Sequence, residues 1–123
     1  MWRIKSGDQS AVVDRVNGEL ARLTVDDVMA AAREGDGVSV SVVRDTAKIV
    51  GMAMANLATI LDPECLVLGG TLATSGDLML DAIRTEYARR LRPAQADAVR
   101  IVTAALGDEA AAIGAARAAQ LPS

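Results

Sequence analysis

The stretch that decides the fold runs from residue 61 to residue 71 and reads LDPECLVLGGT. Asp62-Pro63 ends the helical pattern before it, because the residue before a proline is pushed out of the helical region and proline has no amide hydrogen to donate. The run from Glu64 to Leu68 is apolar and too short for another helix, so it predicts a buried strand. Gly69-Gly70 then permits positive φ and close approach of a backbone or a ligand. Open α/β sheets bind ligands at such carboxyl ends of strands.

A long apolar helical pattern precedes this stretch, from Val38 to Leu61. Apolar residues recur there at alternating steps of four and three, and further apolar residues occupy an adjoining face. So wide an apolar arc predicts a helix that is covered on more than one side. Gly51 and Ala55 are four residues apart on it, so we expect another backbone to approach closely there.

Shorter signals lie before the long helix. The apolar spacing from Gln9 to Leu23 predicts a first helix, and residues 1–5 alternate as a short strand would. Thr24 is typical of an N-cap and Gly35 of a left-handed residue that ends a helix, so a short helix is expected between them. Asp36 is suited to cap the long helix.

The chain after Thr71 begins with a predicted loop of turn-forming residues that ends at Gly76. Asp77 is a plausible N-cap for a helix from Leu78 to Leu91. The basic residues Arg89, Arg90 and Arg92 close this segment. They are compatible with an anion site, but cations in a last turn also complement the negative end of a helix, and that second interpretation is favoured.

Pro93 is expected to end that helix and to open a polar loop. The run from Val99 to Ala104 predicts the second strand. Gly107-Asp108 is then predicted to cap a last helix from Glu109 to Gln120. One side of this helix carries almost only alanine and glycine, so we expect it to pack tightly against the long helix or the sheet.

Composition narrows the classes of function. A chain of 123 residues is one small domain at most. Its net charge of −3 argues against binding to nucleic acid or to an anionic membrane surface. There is no histidine, which excludes histidine chemistry and histidine metal sites, and one cysteine, which fits a reducing cytoplasm. The most apolar stretch, Ile49 to Leu61, is too short to span a membrane, and no signal peptide is recognised.

The glycine pair is the candidate ligand element. Gly69 and Gly70 are compatible with a nucleotide site, but also with a tight bend after a strand, since neither GxxxxGK[ST] nor GxGxxG is present. Asp62 and Glu64 are expected to stop the helix and start the strand rather than to form a carboxylate pair. Cys65 is expected to be an inert core thiol. The sequence therefore shows no catalytic constellation of its own and no metal site.

The order of these motifs resembles the C-terminal part of the ROK family of repressors, open reading frames and kinases. The resemblance extends from Leu23 to Ala119. It includes the family element NPxxxxxGG, present here as Asp62-Pro63 through Gly69-Gly70, and the ending GAA at residues 114–116. Asp62 stands where the family usually has asparagine.

The resemblance implies a helix-rich α/β fold, part of an actin-like (ribonuclease H-like) C-terminal domain with a small sheet of two or three strands packed by helices. Residues 1–123 are expected to form one domain, of which residues 1–23 precede the resemblance. In the family's kinases the glycine pair lies beside the adenine nucleotide, which implies cofactor-binding roles for Gly69 and Gly70. The adjoining Thr71 is a further candidate for cofactor binding. The family's DxGxT phosphate loop, catalytic aspartate, sugar-contacting residues and zinc motif do not occur in this sequence. ATP and sugar are therefore implied only for an intact family protein.

Three functions remain open at this point. The favoured one is the effector and oligomerisation portion of a sugar-responsive ROK transcriptional regulator, because Asp62 suggests relaxed constraint on nucleotide binding. The alternative is the C-terminal, nucleotide-side part of an ATP-dependent ROK sugar kinase of the glucokinase type. The third is an assembly module without a ligand. In each case two strands cannot form a self-sufficient sheet, so we expect self-association or pairing with a missing N-terminal part.

Overall fold

The computed structural model describes residues 11–15, 17 and 19–120. Helices α1 to α7 cover Ala11–Arg15, Val25–Arg33, Gly37–Leu61, Thr71–Thr74, Asp77–Ala88, Pro93–Ala98 and Ala110–Ala119. Strands β1 and β2 cover Cys65–Leu68 and Arg100–Thr103, and 3-10 turns lie at Leu20–Arg22 and Gly107–Glu109. The helix-rich α/β class and the small sheet that the sequence predicts are confirmed. The strand considered at residues 1–5 lies outside the described residues.

The caps before the long helix are confirmed. The Thr24 hydroxyl accepts a hydrogen bond from the Asp27 amide at 3.2 Å, and the Asp27 carboxylate accepts one from the Thr24 amide at 2.9 Å. This reciprocal pair is a capping box at the start of α2. Gly35 has a φ of 88° after α2, and the Asp36 carboxylate accepts from the Ser39 amide at 2.8 Å to cap α3.

The single helix predicted from Gln9 to Leu23 is wrong. Helix α1 ends at Arg15, and Asn17 has a φ of 49°. A right-handed α-helix cannot contain a residue with that left-handed backbone. The chain then makes the 3-10 turn Leu20–Arg22 before α2 begins. The left-handed residue Asn17 therefore interrupts the segment that the apolar spacing predicted to be one helix.

The packing of α3 against α5 forms the centre of the core. Its buried residues include Val43, Ala47, Met54, Ile83 and Tyr87. The close approach predicted at Gly51 is confirmed, because a Cβ built there would lie 2.8 Å from Glu86 Cβ and 2.9 Å from the Tyr87 amide nitrogen. Only the absence of a side chain lets the two backbones come so near.

The long helix α3 ends at Leu61, as Asp62-Pro63 predicts. Asp62 is left-handed, with a φ of 46°, and its amide still donates to the Ala58 carbonyl at 3.0 Å. One side of α3 is not covered by the described residues: Ile49, Ile60 and Leu61 are 63%, 76% and 66% exposed. The prediction that this helix is covered on more than one side is therefore wrong for the described part of the chain.

Strands β1 and β2 pair in parallel, with Cys65 opposite Arg100 and Leu68 opposite Thr103. Leu68 and Ile101 point into the core. Val67 is 63% exposed, so the expectation of a fully buried strand is correct for only one face. No described helix covers the other face of this two-stranded sheet.

The segment between β1 and α5 differs from the prediction. Thr71 to Gly76 is predicted to be a loop, but its first residues form the one-turn helix α4. Gly76, with a φ of 82°, is the N-cap of α5, and Asp77 is the first residue inside the helix rather than its cap. Helix α5 ends at Ala88, three residues before Leu91.

Pro93 starts a helix where the sequence predicts a loop. It occupies the first turn of α6, a position that needs no amide hydrogen and suits the fixed φ of proline. A proline thus ends the pattern before it and also permits the next helix. The strand predicted from Val99 to Ala104 is confirmed as β2.

The last helix differs most from its prediction. Asp108 lies inside a 3-10 turn, and the N-cap of α7 is Glu109, which makes no side-chain capping hydrogen bond. Residues 111–120 are all exposed, and a Cβ at Gly114 would meet nothing within 4 Å. The expected tight packing against α3 or the sheet is therefore absent from the described structure.

Across residues 11–15, 17 and 19–120, no helix combines the length and the hydropathy needed to cross a membrane.

Candidate functional site

The glycine pair lies at the carboxyl edge of the sheet. Both strands run in the same direction, so their carboxyl ends meet at this edge. The Ala104 amide donates to the Leu68 carbonyl at 2.8 Å, which places the end of β2 beside the end of β1. Gly69, Gly70 and Thr71 follow directly and are all exposed. The residues that the sequence singled out therefore form one continuous open turn.

The backbone conformation at position 70 requires a glycine. Its φ of 59° is combined with an extended ψ. Residues that bear a side chain rarely adopt this conformation. The turn leads into α4, where the Ala73 amide donates to the Gly70 carbonyl at 2.9 Å. A glycine is needed at this position whether or not a ligand binds.

Neither the backbone conformation nor the packing of the described chain explains a glycine at position 69. It is not among the described residues with positive φ, and a Cβ built on it would meet nothing within 4 Å. Neither strain nor crowding in the described chain requires a glycine there. The missing side chain instead leaves open space beside the strand end.

Thr71 opens α4 and contributes polar groups to the same edge. Its carbonyl accepts hydrogen bonds from the hydroxyls of Ser75 at 2.6 Å and Thr74 at 3.2 Å. Both bonds are local to α4 and its C-cap, and they stabilise this one-turn helix directly after the glycine pair. The hydroxyl of Thr71 forms no hydrogen bond with a described residue.

The other candidates from the sequence do not join this site. Asp62 and Glu64 are exposed and serve the end of α3 and the entry to β1, since the Glu64 carbonyl accepts from the Arg100 amide at 3.1 Å. Cys65 is a free, half-buried thiol in β1. In the described ranges, no three acidic or cysteine side chains gather as a metal ion would need.

A second feature is a cleft of about 460 Å³ between α3 and α5, which we call the basic cleft. Its lining consists of Arg44, Asp45 and Lys48 from α3, Glu86 from the last turn of α5, and Arg89 and Arg90, which directly follow α5. The sequence drew attention to the arginines that follow α5 but missed the two cations of α3. Arg92 lies outside the lining, with its Nε 3.4 Å from Gln95 Oε1.

Glu86 organises the α5 side of the basic cleft. Its two carboxylate oxygens lie 3.1 Å from Arg89 Nη1 and 2.8 Å from Arg90 Nη1. Arg90 Nη1 also donates to the Glu86 carbonyl at 2.6 Å. The hydrogen bond from Arg90 holds the pKa of Glu86 below its ordinary value. The i,i+4 spacing of Glu86 and Arg90 is a sequence signal that could have revealed this pair.

Comparison with known proteins connects the fold to a family. The ROK family profile matches residues 4–121. A glucokinase from Halalkalibacterium halodurans is 39% identical over 92 residues, which cover 75% of this chain. The xylose repressor from Caldicellulosiruptor bescii is 27% identical over 111 residues, which cover 90% of this chain.

A solved structure shows the same architecture. The ROK family glucokinase from Streptomyces griseus, in complex with glucose and AMPPNP, superposes on 87% of this chain with a TM-score of 0.74 and 31% identity. The superposition confirms that the fold is that of the actin-like sugar kinases.

The chain spans only part of these relatives. It matches 28% of the H. halodurans glucokinase, 27% of the xylose repressor and 35% of the S. griseus glucokinase chain. Two kinases and a repressor are therefore each similar to most of this chain. With its profile match over nearly all residues and its sugar-kinase architecture, this chain belongs to the ROK family.

Proposed function

We propose that this chain is the C-terminal, nucleotide-side part of an ATP-dependent ROK sugar kinase, in which Gly69, Gly70 and Thr71 line the adenine nucleotide. The observation that carries the proposal is the open space at Gly69, where neither strain nor packing requires a glycine. A bare Cα at the carboxyl end of a strand lets a flat ring or a sugar approach the backbone. The adjoining Thr71 hydroxyl is available as a hydrogen-bond partner.

Sequence identity favours the kinase over the regulator that Asp62 suggested. The H. halodurans glucokinase is 39% identical, whereas the xylose repressor is 27% identical. The S. griseus glucokinase, whose structure holds AMPPNP, is 31% identical in the superposed region. Asp62 is one changed residue at the end of a helix, and it supports the regulator less strongly than this difference in sequence identity supports the kinase.

The chain supplies only part of a kinase site. Phosphoryl transfer requires a metal, a phosphate clamp and a base held in position together. The sequence contains no DxGxT loop, and the described acids form no metal cluster. We expect those groups to come from a region outside these 123 residues.

The experiment is a chimera in which this chain replaces the matching segment of the H. halodurans glucokinase. We expect the chimera to phosphorylate glucose with ATP, because the chain would restore the nucleotide side of the site. A chimera that folds with a cooperative melt but has no activity would contradict the kinase proposal. The parent enzyme without the segment is the negative control.

The regulator remains a second candidate because the xylose repressor match covers 90% of this chain, against 75% for the glucokinase. The same replacement in the C. bescii xylose repressor tests it. Xylose-dependent repression by that chimera, together with an inactive kinase chimera, would favour the regulator. Failure of both folded chimeras would favour an assembly module that binds no ligand.

A further inference from the structure

We propose that the basic cleft between α3 and α5 binds the phosphate group of a small phosphorylated molecule. The proposal does not rest on the kinase function, since Gly69, Gly70 and Thr71 are not among the residues that line the cleft. It rests on the charges in the cleft, on the geometry of its arginines and on its size.

The lining of the basic cleft has a net positive charge, although the chain as a whole has a net negative charge. Its lining contains four cations and two carboxylates, which sum to +2, whereas the whole chain carries −3. Concentrating cations in a concave region raises the local potential and attracts anions. The charge is thus localised where a ligand has room to enter.

The arginines that follow α5, Arg89 and Arg90, are held in place by Glu86 without a ligand. Arg90 Nη1 is held by both the carboxylate and the carbonyl of Glu86, and the Arg90 side chain is 24% exposed. A guanidinium has five N–H donors, so Nη2 and Nε of Arg90 remain available. The fork of an arginine fits the oxygens of a phosphate in pairs.

The cations that α3 contributes to the basic cleft have no partner within the part of the chain that the structure describes. Arg44 and Lys48 are one helical turn apart and exposed, and neither forms an ion pair or hydrogen bond with a described residue. Like charges at this spacing repel each other and destabilise the helix. A bound anion would relieve that repulsion, while the nearby Asp45 carboxylate limits how many negative charges the cleft accepts.

The size of the basic cleft favours a small molecule. Its volume of about 460 Å³ is ample for a phosphate with a small organic group attached. Small-molecule sites in proteins commonly enclose a volume of this order. Free phosphate and a sugar phosphate share the group that these residues recognise. The neutral part of a sugar phosphate would occupy the remaining space.

The test is calorimetric titration of the full chain with inorganic phosphate, a hexose phosphate and the unphosphorylated hexose. We expect both phosphate compounds to bind and the plain hexose not to bind. Tighter binding of the hexose phosphate identifies it as the ligand, and equal binding identifies free phosphate as sufficient. No binding by either phosphate compound, or equal binding by the plain hexose, would overturn the proposal.

Two double variants give a matched comparison. R44A/K48A removes the unpaired cations of the cleft, and R100A/R117A removes two exposed cations elsewhere, so both change the net charge by the same amount. We expect R44A/K48A to weaken phosphate binding about tenfold or more, as the loss of charged hydrogen bonds does. Equal weakening in both variants would show diffuse attraction rather than a site.

A third variant separates this proposal from the kinase proposal. Gly69→Val alters the glycine turn and should leave phosphate binding unchanged. If Gly69→Val abolished phosphate binding while R44A/K48A did not, the phosphate would lie at the glycine turn and the cleft proposal would be wrong.

Discussion

Two different physical reasons require the absence of a side chain at Gly51 and at Gly70, and neither reason applies to Gly69. Gly51 is crowded, with a built Cβ only 2.8 Å from Glu86 Cβ. Gly70 is conformationally constrained by its φ of 59°. Gly69 is neither, which is why it is the position at which a ligand gives the best explanation. The sequence pointed to all three, but only the structure separates their roles.

Gly51→Ala should destabilise the packing of α3 on α5. Overpacking a core costs about 1–3 kcal/mol, and the gain in helix propensity of about 1 kcal/mol offsets part of it. A Cβ only 2.9 Å from the Tyr87 amide nitrogen puts the overpacking cost at the upper end of that range, so we expect the free energy of unfolding in urea to fall by about 2 kcal/mol. The control is Gly37→Ala, where nothing lies within 4 Å of the new Cβ. There we expect a change within about 0.5 kcal/mol, and equal stability of the two variants would refute this account of the contact.

Tyr87→Phe should preserve or increase stability. The Tyr87 hydroxyl is buried without a described hydrogen-bond partner, and burial raises the pKa of the phenol. An unsatisfied buried polar group costs about 1–3 kcal/mol, so its removal should raise the free energy of unfolding by about 1 kcal/mol. A loss of similar size in the same urea titration would instead reveal a partner for the hydroxyl.

At the scale of elements, the predictable features are those set by close neighbours in sequence. The caps at Thr24 and Asp36, the end of α3 and both strands depend on residues within about four positions, and all were correctly predicted. The one-turn helices α4 and α6 were missed because turn-forming residues and proline are also compatible with a first helical turn. Arg44 lines the basic cleft from α3 and Arg90 lines it from the segment after α5, and no local sequence pattern joins them.

The C-terminal end of α5 should depend on pH through Glu86, whose ion-pair partners Arg89 and Arg90 lie on the same segment. The hydrogen bond from Arg90 lowers the pKa of Glu86 from 4.5, so the folded form binds its proton less readily than the unfolded form. This stabilisation is complete above pH 4.5 and is lost as the pH falls through the lower folded value. Arg44, Lys48 and Asp45 face Glu86 from α3 and modulate the size of the effect.

Thermal melts of the wild type and of Glu86→Gln measure this dependence. At neutral pH we expect the wild type to melt higher, because glutamine cannot form the ion pairs. The difference should shrink as the pH falls from about 7 toward about 3, since a protonated Glu86 resembles glutamine. A difference in melting temperature that stays constant over this pH range would show that the charge of the Glu86 carboxylate does not contribute to stability.

At the scale of the whole molecule, apolar residues remain uncovered on α3 and on one face of the sheet. Ile60 and Val67 are 76% and 63% exposed, and β1 and β2 form only a two-stranded sheet. Such surfaces and open strand edges favour association. The apolar pattern predicted that this side of α3 would be covered, but no described residue covers it.

The isolated chain is therefore expected to form dimers or larger assemblies. Light scattering at micromolar concentration measures its mass directly. Ile60→Arg should shift the population toward monomer, because a charge on that surface opposes burial. The control is Asn56→Asp, an exposed polar position on the same helix. A monomeric wild type with full helical signal and a cooperative melt would contradict this expectation.

The central claim is that the turn at Gly69 lines a nucleotide, and the most direct measurement is the KM for ATP of the glucokinase chimera. With Gly69→Val we predict that this KM rises about tenfold or more, because the new side chain fills the space left for the nucleotide. The KM for glucose should stay unchanged, and Gly37→Val, on the exposed first turn of α3, should alter neither. An unchanged KM for ATP in a folded, active Gly69→Val chimera would contradict the account.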